Sequence, residues 1–356
     1  MESSSKKRIR IGFIGVGSMG QGAHLRNYAS LPEECEVVAL AELRPEAGSR
    51  VAARYGVPKL YRSHEELLAN EKVDALVASQ PFTRHGILIP ELARAGVPIL
   101  SEKPIAGNIA VGETILRALE QNKTWLMVAY HKRSDSATVY AKAEIDRLKQ
   151  SGELGQLRYV RITMPPGDWI AGGFNDIIRT SEKAENLLSD PQPGDMNEAT
   201  TKLFIEFVNY YIHQVNLLRH LLGEDYQVTH ADPSQVLFVA RSRSGIPGVI
   251  EMKPYTSTLA WHEAALATFD KGYVKLELPA PLVHNQPGRV EIFKDPGQGA
   301  TPMRIIPELP WVHAMKNQAL NFIKAVRGEV PAPCLAPEAL QDLRVARDYI
   351  RLLKGV

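Results

Sequence analysis

Cysteine is nearly absent: Cys35 and Cys334 are the only two in 356 residues, and neither sits in a CxxC pattern. A disulfide framework is therefore excluded, and a reducing compartment is the expectation. No apolar run reaches the roughly 18 residues that a membrane helix needs. Charge of one sign is lacking too. The chain carries 42 Lys and Arg against 40 Asp and Glu, a net charge of +2. Such a balance gives no field for nucleic acid or an anionic membrane. The basic start, Met1–Arg10, runs into Ile11-Gly12-Phe13-Ile14-Gly15-Val16-Gly17, and glycine that dense makes no signal core. Met1–Lys6 reads as a loose tail, and a cytoplasmic location follows as the expectation. With 44% hydrophobic and 23% charged residues, the composition is that of a globular protein of about two domains.

The first third alternates short apolar runs with amphipathic stretches. Strands are expected at Ile9–Ile14, Glu36–Ala41, Val73–Ala78, Pro98–Leu100 and Trp125–Ala129, with helices at Met19–Ser30, Glu46–Tyr55, Leu88–Ala95 and Ala110–Gln121. Regular alternation of this kind implies a doubly wound parallel sheet covered on both faces. After Ala129 the pattern changes. A helix over Thr138–Gln150 and a strand over Arg158–Met164 precede an irregular stretch rich in Gly, Pro, Asp and Asn. A long helix over Leu203–Leu222 follows. Successive strands at Gln235–Ala240, Gly248–Met252, Leu259–Ala267, Tyr273–Leu278 and Val290–Lys294 imply an open, mostly antiparallel sheet. Helices at Val312–Val326 and Pro337–Leu353 close the chain. The expected division is a Rossmann domain over 1–129 and an α+β substrate-binding and oligomerisation domain over 130–356. The helices are enough to cover only one face of the second sheet. An exposed apolar face would remain, which predicts a homodimer or homotetramer.

Gly15-Val16-Gly17-Ser18-Met19-Gly20 fits GxGxxG, directly after a strand and opening a helix. The first glycine permits the turn, the second lets the backbone approach a pyrophosphate, and the third lets helix and strand pack. N–H groups at the helix start then hold the anion. Glu42, at the end of the second strand, can take both ribose hydroxyls of an adenosine and repels a 2′-phosphate, which favours NAD over NADP. Arg44, two residues on, can accept a 2′-phosphate or serve as a solvated loop charge. Lys103 in Ser101-Glu102-Lys103-Pro104 lies at the carboxyl edge of the sheet. An ammonium there can hydrogen-bond a substrate oxygen and stabilise alkoxide character.

Together these elements resemble the glucose–fructose oxidoreductase / inositol dehydrogenase / MocA family. Ser79-Gln80-Pro81-Phe82-Thr83-Arg84-His85 is similar to that family's Thr-Pro-Asn-x-x-His, and Gly152-Glu153-Leu154-Gly155-Gln156-Leu157 to its lead into the second domain. The resemblance implies an NAD(P)-dependent enzyme acting on a sugar or cyclitol hydroxyl. It also implies that Ser79, Gln80, Pro81, His85, Glu102 and Lys103 join the glycine loop in holding the dinucleotide. The family's Asp-x-Gly-x-His-x-x-Asp is matched by Asn209-Tyr210-Tyr211-Ile212-His213-Gln214-Val215-Asn216, followed by Leu221-Leu222-Gly223. His213 thus matches the family's base, while both aspartates have become asparagine and the glycine has become Tyr211. Asn209 lies four residues before His213, on the same helix face, and can orient the imidazole. Without an aspartate to offset an imidazolium, the His213 pKa should lie below that of a typical member.

Further substrate contacts are expected from the basic run Tyr130-His131-Lys132-Arg133, which can hold an anionic group through His131 and Arg133 or be a solvated charge run. Trp169 can stack on a sugar, and Asp168 can accept its hydroxyls; either can instead anchor the loop. Tyr211 or Tyr210 is the alternative proton carrier to His213. The remaining histidines show no metal-ligand spacing, and no metal is expected. The leading expectation is a sugar dehydrogenase or reductase in which Lys103 polarises the reacting oxygen and His213 exchanges its proton, both near one carbon. The alternatives are an NAD-dependent glycosidase working by transient oxidation, elimination and re-reduction, and a nucleotide-binding sensor without catalysis.

Overall fold

A computed structural model describes residues 7–185 and 187–355. Met1–Lys6, expected as a tail, lie outside the described residues. The chain divides into two compact units. The first comprises Met1–Ala129, Gly173–Asp195 and Gln318–Leu340; the second comprises Tyr130–Gly172, Met196–Asn317 and Gln341–Val356. One boundary falls between Ala129 and Tyr130, and the span 130–356 is not continuous in this division. Two stretches of that span return to the first unit.

The first unit is built on β1 (Ile9–Ile14), a π-type turn at Gly20–Leu25, α1 (Arg26–Ala29), β2 (Cys35–Ala41), α2 (Pro45–Tyr55), β3 (Leu60–Tyr61), α3 (His64–Asn70), β4 (Ala75–Ala78), α4 (His85–Ala93), β5 (Ile99–Ser101), α5 (Ile109–Gln121) and β6 (Leu126–Val128). The six strands run parallel in the order β3-β2-β1-β4-β5-β6. All four residues of β4 are buried, as befits a strand covered on both faces. Strand order reverses at β1, whose neighbours are β2 and β4. In such sheets the crevice at that point takes the ligand.

The second unit continues with α6 (Ser136–Ser151), β7 (Leu157–Thr163), α7 (Glu198–Leu222), β8 (Tyr226–Ala231), β9 (Leu237–Ser242), β10 (Pro247–Glu251), β11 (Glu263–Phe269), β12 (Gly272–Leu278), β13 (Arg289–Lys294) and β14 (Met303–Ile305). Helices α8 (Ala314–Val326) and α9 (Ala336–Lys354) each begin in one unit and end in the other. The sheet order is β14-β13-β12-β11-β7-β10-β9-β8, antiparallel except for the β10–β7 pair. Register separates its faces. Ala240, Gly248, Val160, Ala267, Val274 and Ile292 form one cross-strand row, all buried, on the face that α6 and α7 cover. The adjacent row on the other face reads Val239, Val249, Arg161, Leu266, Lys275 and Glu291. The second face is therefore mixed, not the apolar surface expected: a short aliphatic strip is flanked by charges. Among the described residues, no helix is long and apolar enough to cross a membrane.

Candidate functional site

In the first unit the glycine loop joins β1 to the following helical turn. Gly15 has φ +87°, and a Cβ there would lie 2.5 Å from the Ser79 carbonyl oxygen. A Cβ on Gly20 would come within 2.3 Å of the Gly15 carbonyl, so loop and helix start meet backbone to backbone. Gly17 differs: nothing lies within 4 Å of its Cβ position, and the neighbouring Ser18 is exposed, with Met19 half-buried. The tip is thus an open cradle at a helix start, where N–H groups lack intrahelical acceptors. These features fit a dinucleotide pyrophosphate over Gly15–Gly20.

Glu42 reaches under this loop. Its Oε2 accepts from Val16 N–H at 2.8 Å and from the Arg44 guanidinium at 2.9 Å; its Oε1 accepts from Arg44 Nε at 2.7 Å and Arg44 N–H at 3.1 Å. Burial alone would raise its pKa, but the Arg44 hydrogen bond, the Val16 N–H and the Arg44 charge outweigh it, and the carboxyl sits below its ordinary range. A carboxylate offers about four acceptor positions, and these four bonds fill them. In this arrangement the carboxylate is occupied by protein donors. Glu42 braces the loop, and Arg44 is paired rather than a solvated charge.

At the end of β4, the Gln80 amide lies 2.3 Å from where a Gly15 Cβ would stand, so Ser79 and Gln80 abut the cradle, while Pro81 is exposed. His85 is fully buried. Its ring nitrogens lie 3.1 Å from the Ile105 carbonyl and 3.3 Å from the Gln80 carbonyl, and burial lowers its pKa. It staples the β4 loop to the segment after β5. Glu102 is likewise internal: Oε1 meets His24 Nε2 at 2.5 Å, and Oε2 accepts from Lys103 N–H at 3.2 Å. Burial would raise the Glu102 pKa; the His24 hydrogen bond and charge, then Lys103, hold it below the ordinary value. His24 was missed as a site residue. The available signal was its place four residues after Gly20, on the same helical face. Lys103 follows β5 at the carboxyl edge, half-buried, with its backbone fixed by that pair.

In the second unit, His213 lies half-buried on α7. Its ring packs edge-on against His131, with centroids 4.7 Å apart, and against Tyr130 at 5.7 Å. The basic run is not solvated. Lys132 pairs with Glu263 at 2.5 Å, both fully buried, and Gln214 donates to the other Glu263 oxygen at 2.7 Å. Arg133 is buried and donates from Nε to Asn216 Oδ1 at 2.7 Å; Asn216 in turn donates to Asp342, which also holds Arg219. Asn209 is exposed, one turn before His213. Tyr211 is buried, and its hydroxyl donates to the Met252 carbonyl; burial pushes its pKa well up. The hydroxyl is thus engaged within the second unit. Tyr210 stands edge-on to Tyr211, with ring centroids 5.0 Å apart, and burial raises its pKa. Asp168 Oδ1 accepts from the N–H groups of Ile170 and Ala171 at 3.0 Å, the loop-anchor role; Trp169 is half-buried beside it. Sequence reasoning missed Glu263, Met252 and Asp342, which no local pattern marks.

Histidine spacing overlooked one surface group. Among the described residues, His64, Glu65 and Glu91 place ligand-type atoms within 4.8 Å of one another, with His64 Nε2 2.9 Å from Glu91. It lies on α3 and α4, apart from the glycine cradle, and Glu65 is exposed.

Residues 9–130 match the family model described as an oxidoreductase family with an NAD-binding Rossmann fold. The chain is 25% identical over 347 residues to inositol 2-dehydrogenase of Rhizobium meliloti (strain 1021), covering 95% of this chain and 96% of that one. Two solved structures share the whole architecture. Aldose–aldose oxidoreductase from Caulobacter crescentus, complexed with glycerol, superposes with a TM-score of 0.70 at 18% identity, covering 98% of each chain. The WlbA dehydrogenase from Bordetella pertussis, in complex with NADH and UDP-GlcNAcA, gives 0.69 at 21% identity, covering 99% of this chain and 97% of that one. The chain is similar to NAD(P)-dependent oxidoreductases of the glucose–fructose oxidoreductase / inositol dehydrogenase / MocA family, whose model it matches over residues 9–130.

Proposed function

We propose that the chain is an NAD-dependent dehydrogenase or reductase of a sugar or cyclitol hydroxyl. The carrying observation is the open Gly17 cradle beside β4, with Lys103 at the end of β5, the next strand along. The named relatives, an inositol dehydrogenase and sugar oxidoreductases, support a polyhydroxylated substrate. When bound, the dinucleotide supplies the hydride acceptor or donor. The loop N–H groups of Gly15–Gly20 hold its pyrophosphate. The Lys103 ammonium donates to the reacting substrate oxygen and stabilises its alkoxide character. His213 takes the hydroxyl proton in oxidation and returns it in reduction. Its packed contacts with His131 and Tyr130 hold the ring in place, with Asn209 one turn away. Trp169 offers a face to the sugar. The second-unit sheet, through the mixed face that α6 and α7 leave uncovered, serves a homodimer or homotetramer, and a strictly monomeric mass at micromolar concentration overturns that part.

The test is absorbance at the NADH band with a panel of cyclitols, aldoses and glycosides. Net NADH formation that Lys103→Ala abolishes is expected. Undiminished turnover in that variant overturns the assignment. Glycoside cleavage with no net NADH change replaces it with the hydrolytic reading.

A further inference from the structure

The stretch Gly173–Asp195 belongs to the first unit, where it runs beside the glycine-loop helix and reaches the start of α2. It is pinned there. The Gln21 amide donates to the Ile178 carbonyl at 3.0 Å and accepts from Ile178 N–H at 2.8 Å. Asp176 sits between Arg26, at 3.1 Å, and Arg54, at 3.3 Å. Phe174 packs on Gly22, where a Cβ would meet its ring at 2.9 Å. Six residues beyond Asp176, the half-buried Glu182 sets its carboxylate on the first turn of α2: Oε1 accepts from Glu46 N–H at 3.1 Å and Oε2 from Ala47 N–H at 2.9 Å.

These two N–H groups open an eleven-residue helix directly after Arg44. They are donors with no intrahelical partner, at the positive end of the helix dipole. Glu42 and Arg44 mark the position where a Rossmann domain meets the 2′ group of the adenosine ribose. Glu182 also acts on Arg44 through its charge, adding to the pull of the Glu42 hydrogen bonds that raises the Arg44 pKa. A 2′-phosphate at this end of the sheet would therefore find its helix N–H donors already committed to a carboxylate, and its guanidinium bonded to Glu42 and under the charge of Glu182.

We propose that Glu182 is a cofactor-selectivity residue: its carboxylate holds the α2 N–H groups beside Arg44 that an adenosine 2′-phosphate would use, and so sets the protein against NADP. The proposal rests on the dinucleotide reading above and adds a residue 140 positions along the chain from the Glu42 that the motif supplies. Glu182 works by occupation and by like charge, so the two contributions separate by substitution. Ala at 182 removes both; Gln removes the charge and keeps an oxygen for the N–H groups.

The test is calorimetric titration of the full chain with two matched pairs, NAD+ against NADP+ and 5′-AMP against 2′,5′-ADP. The native protein is expected to prefer the unphosphorylated member of each pair. Glu182→Ala is expected to move both ratios toward the 2′-phosphate by roughly tenfold or more, the order of a charge-assisted hydrogen bond. Glu182→Gln is expected to give a smaller move in the same direction. Ratios unchanged in both variants overturn the proposal, as does a native preference for NADP+. Thermal melting is run alongside; if Glu182→Ala melts too low to titrate, the Gln variant, which keeps one acceptor for the helix N–H groups, decides. Failure of the native protein to bind any of the four ligands overturns the dinucleotide reading itself. Binding of NAD+ with immovable ratios overturns only the assignment of Glu182.

Discussion

Asn216 donates its amide to Asp342 Oδ2 at 2.7 Å, and both side chains are buried. The same asparagine accepts from Arg133, while Arg219 donates twice to Asp342 Oδ1. Position 216, where the family pattern has aspartate, thus faces a carboxylate already in place. An amide suits both neighbours because it offers an oxygen to Arg133 and an N–H to Asp342.

Restoring aspartate should therefore harm the protein. Asn216→Asp places two buried carboxylates in contact and leaves one without its donor, a cost on the order of 3 kcal/mol. Denaturant midpoints should fall accordingly at neutral pH. Adding Asp342→Asn should recover part of the loss, because donor and acceptor are then exchanged. A single Asn216→Asp as stable as the native chain would show that Asp342 does not set the residue at 216.

Acid stability should depend on Glu102. Its carboxyl lies below the ordinary value of 4.5 in the folded chain, because His24 and Lys103 outweigh burial. The unfolded state therefore binds this proton at higher pH than the native state does. The stabilisation is complete above about pH 4.5 and is lost as pH falls through the lower folded value. Glu102→Gln should cost roughly 1.5–3 kcal/mol at pH 7 and flatten the acid limb of the stability profile. Urea melts from pH 3 to pH 7 check this; parallel native and variant curves would contradict it.

Five of the six parallel strands of the first unit were legible because burial on both faces makes them apolar runs, as in Ala75–Ala78. The missed elements lack such a signal. Helix α3 buries only Leu67, β3 has two residues, β14 is exposed throughout, and β8 buries only its end residues. Within the site, the glycine loop was readable because its chemistry is local. The partners that decide what the other residues do come from far along the chain: Glu263 for Lys132, Met252 for Tyr211, Asp342 for Asn216. A motif locates a side chain on an element; it says nothing of what packs against it from another.

Tyr211 and His213 should separate in kinetics. The Tyr211 hydroxyl spans to the Met252 carbonyl inside the second unit. Tyr211→Phe should lower stability by about 1 kcal/mol, the net worth of a buried hydrogen bond, and change kcat less than threefold. His213→Ala should lower kcat by about 10²–10⁴, the range of a lost general base. A severe Tyr211→Phe with a mild His213→Ala would return proton transfer to the tyrosine.

The three glycines of the loop should fail in different ways when a methyl group is added. At Gly20 the new carbon would stand 2.3 Å from the Gly15 carbonyl oxygen, which is backbone and cannot swing aside. Gly20→Ala should therefore destabilise the first unit by about 1–3 kcal/mol, whatever ligand is present. Gly15→Ala adds a positive φ to a similar clash with the Ser79 carbonyl and should be at least as costly. At Gly17 the methyl group enters open space, so Gly17→Ala should melt within about 0.5 kcal/mol of the native chain. That space is where a pyrophosphate approaches the backbone, so the same variant should lose dinucleotide affinity by roughly tenfold or more. Melting and titration of the three variants side by side make the comparison. A Gly17→Ala protein that binds NAD+ as tightly as the native one would place the dinucleotide elsewhere than over this loop.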